Sequence, residues 1–197
     1  MHQTHCRNKD MIDNKLIYAI IPARGGSKRL HRKNIYPVWE FPMIFWSIDA
    51  CKKSRYIDSV YVSSEDNEIL EIAESFGAKK IYRPIELSRD FVYKQEVIVH
   101  ATTQIMKSKS LDIVISLQAN SPQVKAEDLD AAIEKFIEFE RDEIFSVDKD
   151  LMQNAAFRIM KADYVFQKTL STNCGVFVTD YMDVHTLDDI KLLEKNK

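Results

Sequence analysis

Glycine is scarce in this 197-residue chain, with four in all, and two of the four stand side by side at Gly25-Gly26. Cysteine is scarcer still. Cys6, Cys51 and Cys174 are odd in number and far apart, which argues against a disulfide framework and a paired-cysteine zinc site and points to a reducing compartment. Neither sign of charge is in excess: 28 Lys and Arg face 30 Asp and Glu, a formal charge of -2. A general nucleic-acid binder needs surplus basic charge to neutralise phosphates, so that class is disfavoured. No apolar run is long enough to span a bilayer, and the opening stretch MHQTHCRNKDMIDNK lacks the apolar centre of a signal peptide. A cytoplasmic protein is expected, with neither a nucleic-acid nor a membrane partner. His2, His5 and Cys6 carry metal-ligating side chains, but their place in a polar tail favours a frayed terminus.

What is present is the composition of a globular protein, 45% hydrophobic and 29% charged, in a length suited to one core. Residues 1–15 read as a polar tail and 16–197 as a single domain. Apolar runs alternate with amphipathic segments. Strands are predicted at 16–21 (LIYAII), 59–63, 79–82, 112–117 (DIVISL) and 143–147, and helices at 42–54, 64–76, 93–108, 126–139 and 186–195. Gly77 suits a left-handed cap closing the second helix. This alternation predicts a three-layer α/β/α fold with a mainly parallel twisted sheet. Residues 156–160, 164–167 and 176–179 read as short strands, forming a small antiparallel edge near the C-terminus.

In such folds ligands bind where strands end at their carboxyl edge. The first such edge carries Gly25 and Gly26, whose backbone can approach a phosphate closely, together with Arg24, Lys28, Arg29, Arg32 and Lys33. Either feature alone would read as a solvated turn. Together, directly after a buried strand, they predict an anion site. The loop matches neither G-x-x-x-x-G-K-S/T nor G-x-G-x-x-G, which disfavours an ordinary P-loop ATPase and a dinucleotide-binding enzyme.

The stretch IIPARGGSKRLHRKNI resembles the opening of the acylneuraminate cytidylyltransferases, or CMP-sialic acid synthetases, with His31 in place of the family's Pro. In the same order along the chain, VYVSSEDNEI, RPIELSRD, SLQANSP and DVHTLDDIKLLE resemble four further family motifs. The resemblance implies a nucleotide-diphospho-sugar transferase fold and a CTP-dependent reaction that activates a sialic, legionaminic or pseudaminic-type acid to its CMP-sugar. Carried over by position, Arg24, Gly25, Gly26, Ser27 and Lys33 would hold the triphosphate of CTP. Asn34 would contact the nucleotide, Arg83 the cytosine and Gln118 the sugar acid, and Asp183 would bind Mg²⁺. Arg24 and Lys33 would also offset charge accumulating during the reaction.

Three departures stand beside these expectations. The family's terminal D-x-D is Asp183-Val184-His185 here, and His185 is a poor ligand for Mg²⁺, which prefers hard oxygen. Tyr93-Lys94 occupies the place of a Ser-Ser pair near the start of the long helix. The segment from about Asp150 to Met182 is shorter than the family's dimerisation extension, which leaves a homodimer open. Asp66 and Glu65 read as helix-capping acids. Another NTP, a sugar phosphate, or a non-catalytic nucleotide-binding homologue remain the alternatives.

Overall fold

The apolar run near residue 17 lies in the middle of a seven-stranded sheet. In the computed structural model, which describes residues 12–169 and 171–195, this run forms β1 (Ile17–Pro22). Along the chain follow a hairpin of β2 (Pro37–Val38) and β3 (Phe41–Pro42), then α1 (Met43–Lys53), β4 (Ser59–Ser64), α2 (Asn67–Ser75) and β5 (Lys79–Tyr82). Next come α3 (Lys94–Met106), β6 (Ile113–Leu117), α4 (Ala126–Glu138), β7 (Glu143–Val147), β8 (Gln153–Lys161), β9 (Cys174–Val178) and α5 (Leu187–Lys195). His2, His5, Cys6 and most of the expected polar tail lie outside the described residues. Residues 12–15 form a turn into β1, with the Lys15 amide donating to the Ile12 carbonyl.

Strand order is β5-β4-β1-β6-β8-β7-β9. β1 pairs in parallel with both β4 and β6, as a strand buried on both faces should. Ile17, Ala19 and Ile21 face α1, α2 and α4, while Tyr18 and Ile20 face α3, so the period of two sends alternate residues into two cores. Each fully buried isoleucine there contributes roughly 1.5–3 kcal/mol. A charge at any of these positions would break that layer.

The expected antiparallel component is β8, and its position differs from the sequence reading. It lies inside the sheet, antiparallel to both β6 and β7, and the outermost strand β9 runs parallel to β7. The tight return between β7 and β8, with Leu151 at φ 63, lays a nine-residue strand back along β7. Its Phe157, Ile159 and Met160 then belong to the core. Residues 164–167 do not pair as a strand. Asp163–Phe166 is a 3-10 turn that buries Val165 in the α3-side core, so its apolar residues serve burial.

Helix ends follow local chemistry. The Asp66 carboxylate caps α2 by accepting from the Glu68 and Ile69 amides, and Gly77 at φ 88 closes that helix as predicted. Thr186 and Asp189 cap α5 reciprocally: Thr186 Oγ1 accepts from the Asp189 amide and Asp189 Oδ2 from the Thr186 amide. A small third core of Leu30, Val38, Met43, Val184, Ile190 and Leu193 joins the loop after β1, the hairpin and α5. It brings the C-terminal segment beside the basic loop.

Candidate active site

The carboxyl ends of β1 and β6 open into a cleft of about 470 Å³. Arg24, Ser27, Lys33, Asn34, Arg83 and Gln118, six of the residues singled out from sequence, line it. So do Lys94 and His185, which the sequence marked only as departures.

One wall is the loop after β1, and three of its cations, Arg24, Lys28 and Arg32, are already paired. Glu65 is the hub. Its carboxylate accepts from the Gly25 amide at 2.8 Å, from Arg83 Nη2 at 2.7 Å and from Ser88 Oγ at 2.7 Å. Burial alone would raise this carboxyl, yet Arg83, Ser88 and the Gly25 amide hold it below the ordinary glutamate value. Glu65 is therefore not the helix cap expected from sequence; that role is filled by Asp66 alone. Gly25 approaches α2 so closely that an added Cβ would overlap Asp66 Oδ2, which is the reason for glycine there. Arg83 is only 6% exposed, and its Nε finds no partner among the described residues. Asn34 is buried and donates through Nδ2 to the Arg24 carbonyl at 2.9 Å, fixing the loop from within. Arg24 and Lys28 both pair with Asp90 across the cleft mouth, and Arg32 turns away to Asp66 and Glu68.

The amide cradle expected from Gly25 and Gly26 is only partly open. The Gly25 N–H is occupied by Glu65 and the Ser27 N–H by the Gly25 carbonyl. Gly26 is exposed, with open space around it.

Two lysines of the cleft are different. Lys33, from the same loop, and Lys94, at the start of α3, are half-buried and form no ion pair among the described residues. Burial pushes the Lys33 ammonium down, with Arg29 and Arg24 acting the same way and Asp183 opposing. Lys94 is likewise pushed down by burial and by Arg158, against Asp183. His185 Nδ1 lies 3.2 Å from Arg29 Nη2. A guanidinium only donates, so this nitrogen accepts and the imidazole is neutral. The side-chain amide of Gln118 makes no hydrogen bond among the described residues, while its backbone carbonyl accepts from Ser47 Oγ.

Asp183 is held by the turn after β6. Ser121 Oγ donates to Asp183 Oδ1, Asn120 Nδ2 donates to the Val184 carbonyl at 3.0 Å, and Gln123 Oε1 accepts from the Met182 amide at 2.8 Å. Sequence reasoning did not find this clamp, although NSP in SLQANSP carries two of its members. Among the described residues no three acidic, histidine or cysteine side chains converge on a common point. A cation carried on substrate phosphates needs only one or two carboxylates from the protein, and Asp183 is the carboxylate that this clamp presents.

Comparison with known proteins decides the family. A family model described as Cytidylyltransferase matches residues 18–177. The chain belongs to this family. A pseudaminic acid cytidylyltransferase of Campylobacter jejuni is 41% identical to this cytidylyltransferase chain over 122 residues, covering 60% of the chain and 52% of that protein. N-acylneuraminate cytidylyltransferase A of Danio rerio is 35% identical over 131 residues, covering 66% of the chain and 30% of that protein. The chain thus spans about half the length, or less, of these curated relatives. In fold it is similar to the solved structure of CMP:2-keto-3-deoxy-manno-octonic acid synthetase complexed with CTP. The TM-score is 0.74 at 16% identity, covering 92% of this chain and 99% of that one.

Proposed function

We propose that this cytidylyltransferase activates a nonulosonic acid of the sialic, legionaminic or pseudaminic type with CTP, giving the CMP-sugar and pyrophosphate. The carrying observation is the pair of half-buried cations, Lys33 and Lys94, that lack an ion-pair partner in a cleft at the carboxyl edge of the sheet. Buried cations are stabilised by anions, and a triphosphate supplies several. The family and its relatives, named for pseudaminic and N-acylneuraminic acids, support the choice of nucleotide and sugar.

In this reading the anomeric oxygen forms a bond to the α-phosphorus, the bond to the β-phosphate oxygen breaks, and pyrophosphate leaves with the electron pair. The anomeric proton passes to solvent. The protein's part is positioning and charge. Lys33 and Ser27 hold the triphosphate, and Arg24 joins them as phosphate competes with Asp90. Arg83 sits where a pyrimidine edge would meet it, Asn34 keeps the loop in shape, and Gln118 offers its free amide to the sugar. Asp183 would hold Mg²⁺, which when bound would offset the negative charge of the leaving pyrophosphate. A homodimer would form through the open edge of β9, where Val176 and Val178 are exposed. No helix among the described residues is long and apolar enough to cross a membrane, and a cytoplasmic location is part of the proposal.

The test is pyrophosphate release from CTP and Mg²⁺ across sialic, legionaminic, pseudaminic and Kdo-type acids, with Lys33→Ala and Asp183→Ala as controls. Release with one acid, lost in both variants, is expected. His185 in place of a second carboxylate favours one other reading, a homologue that binds nucleotide without turnover. That reading predicts CTP binding with no release for any acid.

A further inference from the structure

Lys94 is placed where the fold gives it no reward. It is the first residue of α3, and the positive end of a helix disfavours a lysine. It is half-buried, and it has neither a hydrogen bond nor an ion pair among the described residues. Its surroundings are nevertheless fixed. The next residue, Gln95, donates through Nε2 to the Val165 carbonyl at 2.6 Å and accepts from Arg158 Nη1 at 2.8 Å. Arg158 is in turn held by Glu143, whose side chain is fully buried. A half-buried cation in an open cleft, without a partner, improves its electrostatics only when an anion arrives.

That anion is separate from the one facing the loop after β1. Lys33 lies in the 3-10 turn of that loop, whereas Lys94 opens α3, where its neighbour Gln95 is tied to Arg158 on β8. The two lysines enter the cleft from different elements. The proposed reaction brings two anions together, a triphosphate and the carboxylate of an acid sugar, and its bond exchange takes place between them.

We propose that the Lys94 ammonium receives the carboxylate of the sugar acid, with Gln118 and Asn120 lining the same part of the cleft, and so sets the preference for acidic over neutral sugars. The assignment rests on the function proposed above. Lys94 acts as a specificity residue here; bond exchange at phosphorus does not pass through it.

Steady-state kinetics of the whole chain with Lys94→Met and Lys94→Arg, using the accepted acid and its carboxamide, tests the assignment. Lys94→Met should raise KM for the acid by at least about tenfold, the loss expected for a charge-assisted hydrogen bond. It should leave KM for CTP within about twofold and lose the wild-type preference for acid over carboxamide. Lys94→Arg should recover part of that preference, and the melting temperature of Lys94→Met should not fall. A rise confined to KM for CTP, an unchanged KM for the acid, or a retained preference would overturn the assignment while the reaction itself stands. Wild-type protein that releases no pyrophosphate with any acid would overturn both.

Discussion

The cleft holds two sets of cations and treats them in opposite ways. Arg24, Lys28 and Arg32 of the loop after β1, with Arg83 at the end of β5, all have carboxylate partners. Lys33, from the same loop, and Lys94, at the start of α3, have none among the described residues. Pairing distinguishes residues that shape a site from those that await a ligand. A paired arginine holds two loops at a fixed distance, whereas a half-buried lysine left unpaired is poorly placed until an anion reaches it.

The largest expected effect tests the paired set. Glu65→Ala leaves Arg83 buried without its carboxylate and frees the Gly25 amide and Ser88. It should destabilise the fold by about 3 kcal/mol or more, read from the denaturant midpoint. A drop in activity with unchanged stability would move Glu65 out of the scaffold. The same carboxylate gives the fold a pH signature. Its folded-state pKa lies below the ordinary 4.5, so its contribution is present above pH 4.5 and is lost as pH falls through the folded value. Glu65→Gln should flatten that part of the acid unfolding curve.

Among the unpaired cations, Lys33→Ala should do the reverse. It should lower kcat/KM for CTP by about 10²-fold or more and leave the melting temperature unchanged or slightly higher. Asp90→Asn probes the boundary between the two sets, because Asp90 occupies two cations that phosphate would want. Releasing Arg24 and Lys28 should tighten CTP binding about threefold at low salt, and added salt should erase the gain. An exposed control lies away from both sets. Glu40 sits at φ 78 in the turn between β2 and β3, so Glu40→Gly should stabilise the protein by about 1 kcal/mol without touching turnover.

The comparison also explains what was legible in the sequence. β1, β4 and β6 announced themselves as short apolar runs because strands buried on both faces need little else. The basic loop stood out because half of the chain's few glycines lie in it. The hairpin of β2 and β3 was missed because its turn uses Trp39 and Glu40 at positive φ, without the Asn or Gly that usually marks such a turn. β8 was read too short because burial on both faces leaves no alternation in QNAAFRIMK to mark its ends. Glu65 was mistaken for a cap because it stands beside Asp66, and only the approach of Gly25, Arg83 and Ser88 from two other loops reveals its role. Lys94 was visible only as a departure from the family pattern. Its lack of a partner is a property of the folded cleft.

The most direct test is a calorimetric titration of CTP with Mg²⁺ into the wild-type protein, Lys33→Ala and Glu65→Gln. CTP should bind the wild type, fail to saturate Lys33→Ala at any practical concentration, and still bind folded Glu65→Gln with weaker affinity. Equal affinity for CTP in the wild type and Lys33→Ala would contradict the assignment of Lys33 to the nucleotide.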